Sequence, residues 1–187
     1  MISLDKKLIL IILLWLIVLL ILPINGNYLI NDSYVYVWNV QNSLKTLTLH
    51  PLTSPTVIFQ TFLGTLIYKL LEPNPALLRL LTYFLVLICT LTFYKLAVIL
   101  NFKKNYALIV SVLLLFNPLT LTLGASFMSE IYFLTTLILA MYFSVKYKLT
   151  NQFNFLFLTS VFLSFSFLSR QIALIPIIAG LFILFKR

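Results

Sequence analysis

The sequence predicts an all-α integral membrane protein with about six transmembrane helices and a long first external loop that carries juxtamembrane helices. Three observations predict it. The 187-residue chain is 62% hydrophobic and 9% charged, more apolar surface than a soluble domain of this length can bury in its own core. The apolar residues gather in runs of roughly membrane-crossing length. The 13 Lys and Arg residues sit mostly in small clusters between those runs, the pattern of cytoplasmic loops. A net charge of +9 would point to nucleic acid in a soluble protein. Here it comes with no basic patch on a folded soluble surface, so nucleic acid is not expected as a partner. Cys89 is the single cysteine. It lies in an apolar run and is expected to pack, having no second cysteine for a disulfide or a metal site.

From the N-terminus, Lys6 and Lys7 precede "LILIILLWLIVLLILPI", a run of about 17 residues. It is longer than a usual signal-peptide core and no small-x-small cleavage site follows, so it reads as an uncleaved first span. Five further apolar segments follow, at about 78–100, 106–124, 129–145, 153–169 and 171–185. Each is roughly long enough to cross, since about 20 residues span a ~30 Å core and tilt adds tolerance. The polar breaks "NFKKN", "GASFMSE", "KYKLTNQ" and "SRQ" separate them. No soluble domain, repeat or low-complexity linker is visible, so residues 1–187 read as a single transmembrane module.

The segment "SPTVIFQTFLGTLIYKLLE" (54–72) is apolar but short, and the distribution of positive charge decides its placement. If it does not span, Lys6, Lys7, Lys95, Lys103, Lys104, Lys146, Lys148, Lys186 and Arg187 lie inside, nine cations, against four outside: Lys45, Lys69, Arg79 and Arg170. If it spans, five remain inside against eight outside. The first arrangement obeys the positive-inside rule. The segment is therefore an interfacial or re-entrant helix in an external loop from about 25 to 77, ended at "EPNP" by Pro73 and Pro75. Both termini are expected in the cytoplasm, in a cell membrane or an endoplasmic-reticulum-type membrane.

That topology gathers scattered polar residues at one depth. Three of the four acids, Asp32, Glu72 and Glu130, fall outside. So do His50, Arg79 and Arg170. Plain roles exist for each. Arg79 and Lys69 suit snorkelling anchors, Glu130 a residue favoured at a helix N-terminus, Arg170 an interface anchor, Asp32 a turn residue, and His50 a loop residue before Pro51. Trp38, Tyr28, Tyr34 and Tyr36 suit interface aromatics. The chemical alternative is more specific. A carboxylate just outside the bilayer can act as general base on an acceptor hydroxyl. Two of them, Asp32 and Glu130, can hold a divalent cation such as Mg or Mn against a phosphate leaving group. Arginines bind phosphate oxygens bidentately. Together these suit group transfer from a lipid-linked phosphate, with the 54–72 helix helping to form a groove for the lipid tail.

The order of motifs resembles the GT-C superfamily of membrane glycosyltransferases, which includes the dolichyl-phosphate mannosyl- and glucosyltransferases. "NDSYVY" looks like the acidic motif of the first external loop, which places the implied catalytic carboxylate at Asp32. "HPLTSPTVIFQTFLGTLIYKLLE" is similar to the juxtamembrane "HPPL" or "TTPPG" helix. "ALLRLLTYF" resembles the start of the second span and carries the superfamily's functional arginine at Arg79. "FNPLTLTLGASFMSEIYF" resembles the third span and second external loop, with its acid at Glu130. "FSFLSRQIALI" is similar to an "RQT" segment, which maps to Arg170. Asn31-Asp32 stands where many members carry paired acids, which weakens the case for a metal there, and "PLTSP" replaces adjacent prolines. Members normally continue with further spans, so the chain is expected to hold the shared N-terminal module.

The resemblance implies sugar transfer, with inversion, from a polyprenyl-phosphate donor to an acceptor on the extracytoplasmic side. Asp32 would be the base, and Glu130 would orient the acceptor or share a metal. Arg79, Arg170 and His50 would hold the donor phosphate. A second reading is a non-catalytic subunit of the same fold that needs a second membrane subunit. A third is a small transporter, disfavoured because transporters place ionisable residues near mid-membrane.

Overall fold

The computed structural model describes residues 5–22, 32–46, 48 and 57–185, and the described residues fold without strands. The helices are α1 (Lys6–Ile21), α2 (Ser33–Thr46), α3 (Ile58–Leu70), α4 (Pro75–Ile99), α5 (Lys104–Leu115), α6 (Pro118–Gly124), α7 (Ser129–Thr150), α8 (Phe153–Phe167) and α9 (Leu174–Phe185), with a 3₁₀ turn at Gln171–Ala173 before α9. The expected all-α class holds, and the stretch expected to be the first external loop contains helices α2 and α3.

Local chemistry sets the boundaries. Asp5 accepts a hydrogen bond from the Lys7 backbone N–H and caps α1. Asn74 accepts from the Ala76 N–H at 2.9 Å with Pro75 in the first helical position, the arrangement Pro favours because its missing N–H is not needed there. The "EPNP" stretch thus ends α3 and also starts α4, at residue 75 rather than near 78. Asn117 and Pro118 repeat the device: Asn117 accepts from the Leu119 N–H at 2.9 Å and opens α6. That splits the expected 106–124 span into α5 and α6, bent by 55°. At the other end of the chain, α7 runs through Lys146 and Lys148 to Thr150, where Asn151 turns into the left-handed region at φ 53.

The expected count of six spans is not reached on length and composition. Among the described residues α4 is long and apolar enough to cross a membrane by itself, and α5 with α6 reaches that length as a bent pair. α8 is a shorter apolar helix, and α1 has 16 residues.

α4 is the axis of the bundle. α1 packs against it in the opposite direction: Trp15 stacks on Tyr83, with ring centroids 5.2 Å apart, and donates its indole N–H to the Tyr83 carbonyl at 2.9 Å. Nearer the α1 start, Ile11 joins Tyr94, Ala97 and Ala107 in one buried cluster. The bent α5–α6 pair then runs back along α4, so α7 lies parallel to α4. Thr82 meets Tyr132, Thr135 donates to the Leu85 carbonyl, and Cys89 clusters with Ile138. α8 returns along α7 through the stacked rings of Phe143 and Phe162.

The outer face of α3 is apolar and its inner face polar. Ile58, Phe62, Leu66 and Leu70 are exposed, one stripe at i, i+4 spacing, while Gln60, Thr61, Gly64, Thr65 and Tyr68 are buried. α2 buries Ser33, Asn39 and Ser43 in the same way. Small and polar residues at helix contacts, with aliphatic and aromatic residues outward, is the packing used where the surroundings are themselves apolar.

Candidate functional site

Two ends of the bundle differ in charge. At one, the Asp5 carboxylate receives Lys104 Nζ at 3.1 Å and the Tyr94 hydroxyl at 3.0 Å, and Lys7 hydrogen-bonds Asn105. These contacts put the start of α1, the end of α4 and the start of α5 together. The starts of α4 and α7 lie at the other end. There the turn after α8 brings Arg170 to Glu130, with Nη1 donating to Oε1 at 2.6 Å.

Glu130 is in the first turn of α7, where unpaired backbone N–H groups favour a carboxylate. Arg170 is held in extended backbone (φ −154, ψ 133) before the 3₁₀ turn. Its own N–H donates to the Ser166 carbonyl and its carbonyl accepts from Ala173, at 3.0 and 3.1 Å. The preceding Leu168 carbonyl accepts from the Phe59 N–H at 3.2 Å, tying the start of α3 to the same turn. Both charged side chains remain partly accessible, 41% for Arg170 and 31% for Glu130. The second Glu130 oxygen, Oε2, is buried with no hydrogen-bond partner.

The pair opens onto a cleft of about 780 Å³ between the start of α7, α6 and the turn after α8. Asn117, Thr120, Ser129 and Gln171 add polar groups, while Leu119, Leu123, Phe133 and Ile172 make apolar wall. Tyr36 reaches the same cleft from α2. Burial raises its phenol above the ordinary tyrosine range; a hydrogen bond with Ser129 works against that, and the charges of Asp32 and Glu130 reinforce it. Arg170 acts in the opposite sense. Asp32, exposed just before α2, therefore shares an electrostatic neighbourhood with Glu130 and Arg170 through this one hydroxyl.

Two of the expected site residues, Glu130 and Arg170, thus meet at the cleft, and Asp32 acts with them on Tyr36. Arg79 is not among the cleft residues. It is 2% exposed on the first turns of α4, close enough to Tyr68 to oppose the burial that pushes that phenol up to about 12. Arg79 is a buried residue rather than a snorkelling anchor. His50 lies outside the described residues. Tyr36, read from sequence as an interface aromatic, is instead a cleft residue; its place four positions after Asp32 on a helix was the available signal. Tyr34, 57% exposed, fits the interface reading.

A divalent cation finds a thin donor set here. Among the described residues no three His, Cys, Asp or Glu side chains gather. Of the two carboxylates, Glu130 already carries a guanidinium on one oxygen. These residues do not fit a dedicated cation cage, and no step below runs through a metal.

No curated protein and no solved structure matches the chain. A family model described as dolichyl-phosphate-mannose-protein mannosyltransferase matches residues 50–187, which takes in α3 through α9 and with them Glu130, Arg79 and Arg170. The chain belongs to this family of GT-C-type membrane glycosyltransferases.

Proposed function

We propose that the protein transfers a hexose, mannose by the family's description, from a polyprenyl-phosphate donor to a hydroxyl of a protein acceptor on the extracytoplasmic face of a membrane. The observation that carries this reading is the Glu130–Arg170 pair at the mouth of the cleft, with Tyr36 and Asp32 in its electrostatic reach. Arg170 is the phosphate ligand: a guanidinium matches phosphate oxygens and remains charged at any working pH. Glu130 holds that guanidinium in place and orients the incoming hydroxyl. Asp32 takes the hydroxyl proton. The new bond forms between the acceptor oxygen and the sugar C1 as the C1–O bond to phosphate breaks. The leaving polyprenyl phosphate carries away the electron pair, and Arg170 stabilises the charge that develops on it. Attack opposite to departure inverts the anomeric centre.

The membrane placement draws on the inverted polarity of α3 and on the charge difference between the two ends. With Lys95, Lys104, Lys146 and Lys148 at the Asp5 end, the positive-inside rule puts that end in the cytoplasm and the Glu130–Arg170 cleft outside. The six-span topology with both termini inside is the proposal that follows. All of 1–187 then forms one module.

The test is sugar transfer in membranes with polyprenyl-phosphate-mannose as donor. Asp32→Asn is expected to abolish transfer with protein abundance unchanged, because Asp32 is exposed. Full activity in that variant would sink the assignment of the base.

A further inference from the structure

We infer that the end of the bundle opposite the proposed sugar-transfer cleft holds a binding site for the phosphate headgroup of an anionic phospholipid. A second, smaller cleft of about 320 Å³ opens there between α1, the end of α4 and the start of α5. Its polar lining is Asp5, Lys95 and Lys104 with the tyrosines 94 and 142; Leu8, Val98 and Ile99 form the apolar part.

The charges at this cleft are not equivalent. Asp5 is already satisfied: it accepts from the Lys7 N–H, Lys104 Nζ and the Tyr94 hydroxyl, and these contacts lower its pKa from the ordinary value. The carboxylate therefore fixes Lys104 at the rim without leaving a bare negative charge to repel a phosphate. Lys104 keeps a side chain 62% exposed, so donor hydrogens remain available on its ammonium. Lys95 is exposed on the same rim, and among the described residues no carboxylate lies within ion-pair distance of it. A third cation stands beside the cleft: Lys146 Nζ lies 5.1 Å from the Tyr142 ring centroid and 5.1 Å from that of Phe155. Two lysines with unused donors above an aliphatic floor match a phosphate with a glycerol backbone and the first methylenes beneath it. Free phosphate would gain nothing from that floor. Basic pockets between helices on the cytoplasmic side suit anionic headgroups for the same reason.

This inference rests on the proposed orientation of the bundle but not on the sugar-transfer chemistry, and it is tested without an activity assay. The 187-residue chain in detergent is titrated with phosphatidylglycerol, with phosphatidylcholine, and with inorganic phosphate, and bound lipid is counted by native mass spectrometry. Phosphatidylglycerol is expected to be retained and phosphatidylcholine to be lost. Lys95→Gln, a change at an exposed residue that leaves the Asp5 contacts intact, is expected to weaken phosphatidylglycerol binding about fivefold, the worth of one lysine at an anionic surface. Lys148→Gln, at the same end but outside the cleft, is expected to leave it unchanged. Equal losses in the two variants would mean diffuse surface attraction and overturn the site. Equal retention of both lipids, or displacement of the lipid by inorganic phosphate, would also overturn it.

Discussion

Arg170, in the turn after α8, donates to Glu130, in the first turn of α7, at 2.6 Å, and this ion pair joins two segments 40 residues apart in sequence at the mouth of the larger cleft. With 41% and 31% of the side chains exposed, solvent screens the attraction, and a pair of this kind contributes at most about 1 kcal/mol to stability. The proposed role of Arg170 as phosphate ligand thus predicts a loss of transfer without a loss of stability. Arg170→Gln is therefore expected to leave the thermal midpoint nearly unchanged and to lower transfer about a hundredfold, the scale for removing a group that stabilises developing charge. Arg170→Lys keeps the charge but not the planar fork, and should recover only part of the loss. Thermal melts and single-turnover transfer on the same preparations make the comparison.

Gly64 makes the opposite kind of prediction, one of stability alone. It faces α2, and a Cβ built there would lie 2.6 Å from Val40 Cγ2 and 3.0 Å from Phe127 Cζ. Val40 is fully buried and β-branched, so its methyl cannot swing away. Gly64→Ala is expected to destabilise by about 1–3 kcal/mol through overpacking, more than the helix propensity it gains. Val40→Ala in the same chain should return part of that. Gly180 is the control, because a Cβ there meets nothing within 4 Å; Gly180→Ala should be neutral or stabilising by up to about 1 kcal/mol.

What the sequence made legible follows from which physics is local. The break at "EPNP" was legible because proline cannot continue a helix, whereas Asn117-Pro118 inside the expected 106–124 span was passed over although it caps and starts a new helix. The charge count put Asp32, Glu130 and Arg170 in one layer because clusters of lysine are local too, and the fold pairs Glu130 with Arg170 at one cleft. Burial was less accessible. The charge count set the 54–72 segment at the interface but did not say which face of it packs inward, and Gln60, Thr61 and Thr65 are its buried side. Hydropathy assigns a polar residue to solvent, and the assignment reverses where apolar surroundings make the contact between helices the wetter side. The plain alternative for Arg79, a snorkelling anchor, required an open helix end, and Arg79 is instead buried on the first turns of α4. Tyr36 was passed over because only the packing of α2 against the start of α7 makes it a cleft residue.

Tyr36 can be tested directly. Its phenol is held above the ordinary tyrosine range, so it stays protonated through neutral and moderately alkaline pH and remains a hydrogen-bond group in the cleft. Tyr36→Phe removes only the hydroxyl. Expected is a loss of about 0.5–1.5 kcal/mol or less in stability, the net worth of one hydrogen bond, with a tenfold or smaller effect on transfer. A transfer rate in Tyr36→Phe that fell as far as in Asp32→Asn would show that the hydrogen bond of this hydroxyl is as necessary to the proposed reaction as the carboxylate.

Asp5 gives a pH dependence at the other end of the molecule. The Lys7 N–H, foremost, and Lys104 beside it lower the Asp5 pKa in the folded chain. A carboxyl with a folded pKa below its unfolded value binds more protons when unfolded, so its contribution to stability is present above the ordinary aspartate pKa of about 3.9 and disappears as pH falls through the lower folded value. Acid should therefore loosen the start of α1 from α4 and α5, where Asp5 meets Tyr94 and Lys104, before it disturbs the Trp15–Tyr83 stack further along. Asp5→Asn can still cap α1 but cannot pair with Lys104. In that variant stability should be lower at neutral pH and flatter between about pH 5 and 2 than in the parent chain. Thermal melts across that range measure both. Parallel pH curves for the two proteins would show that Asp5 carries no such linkage.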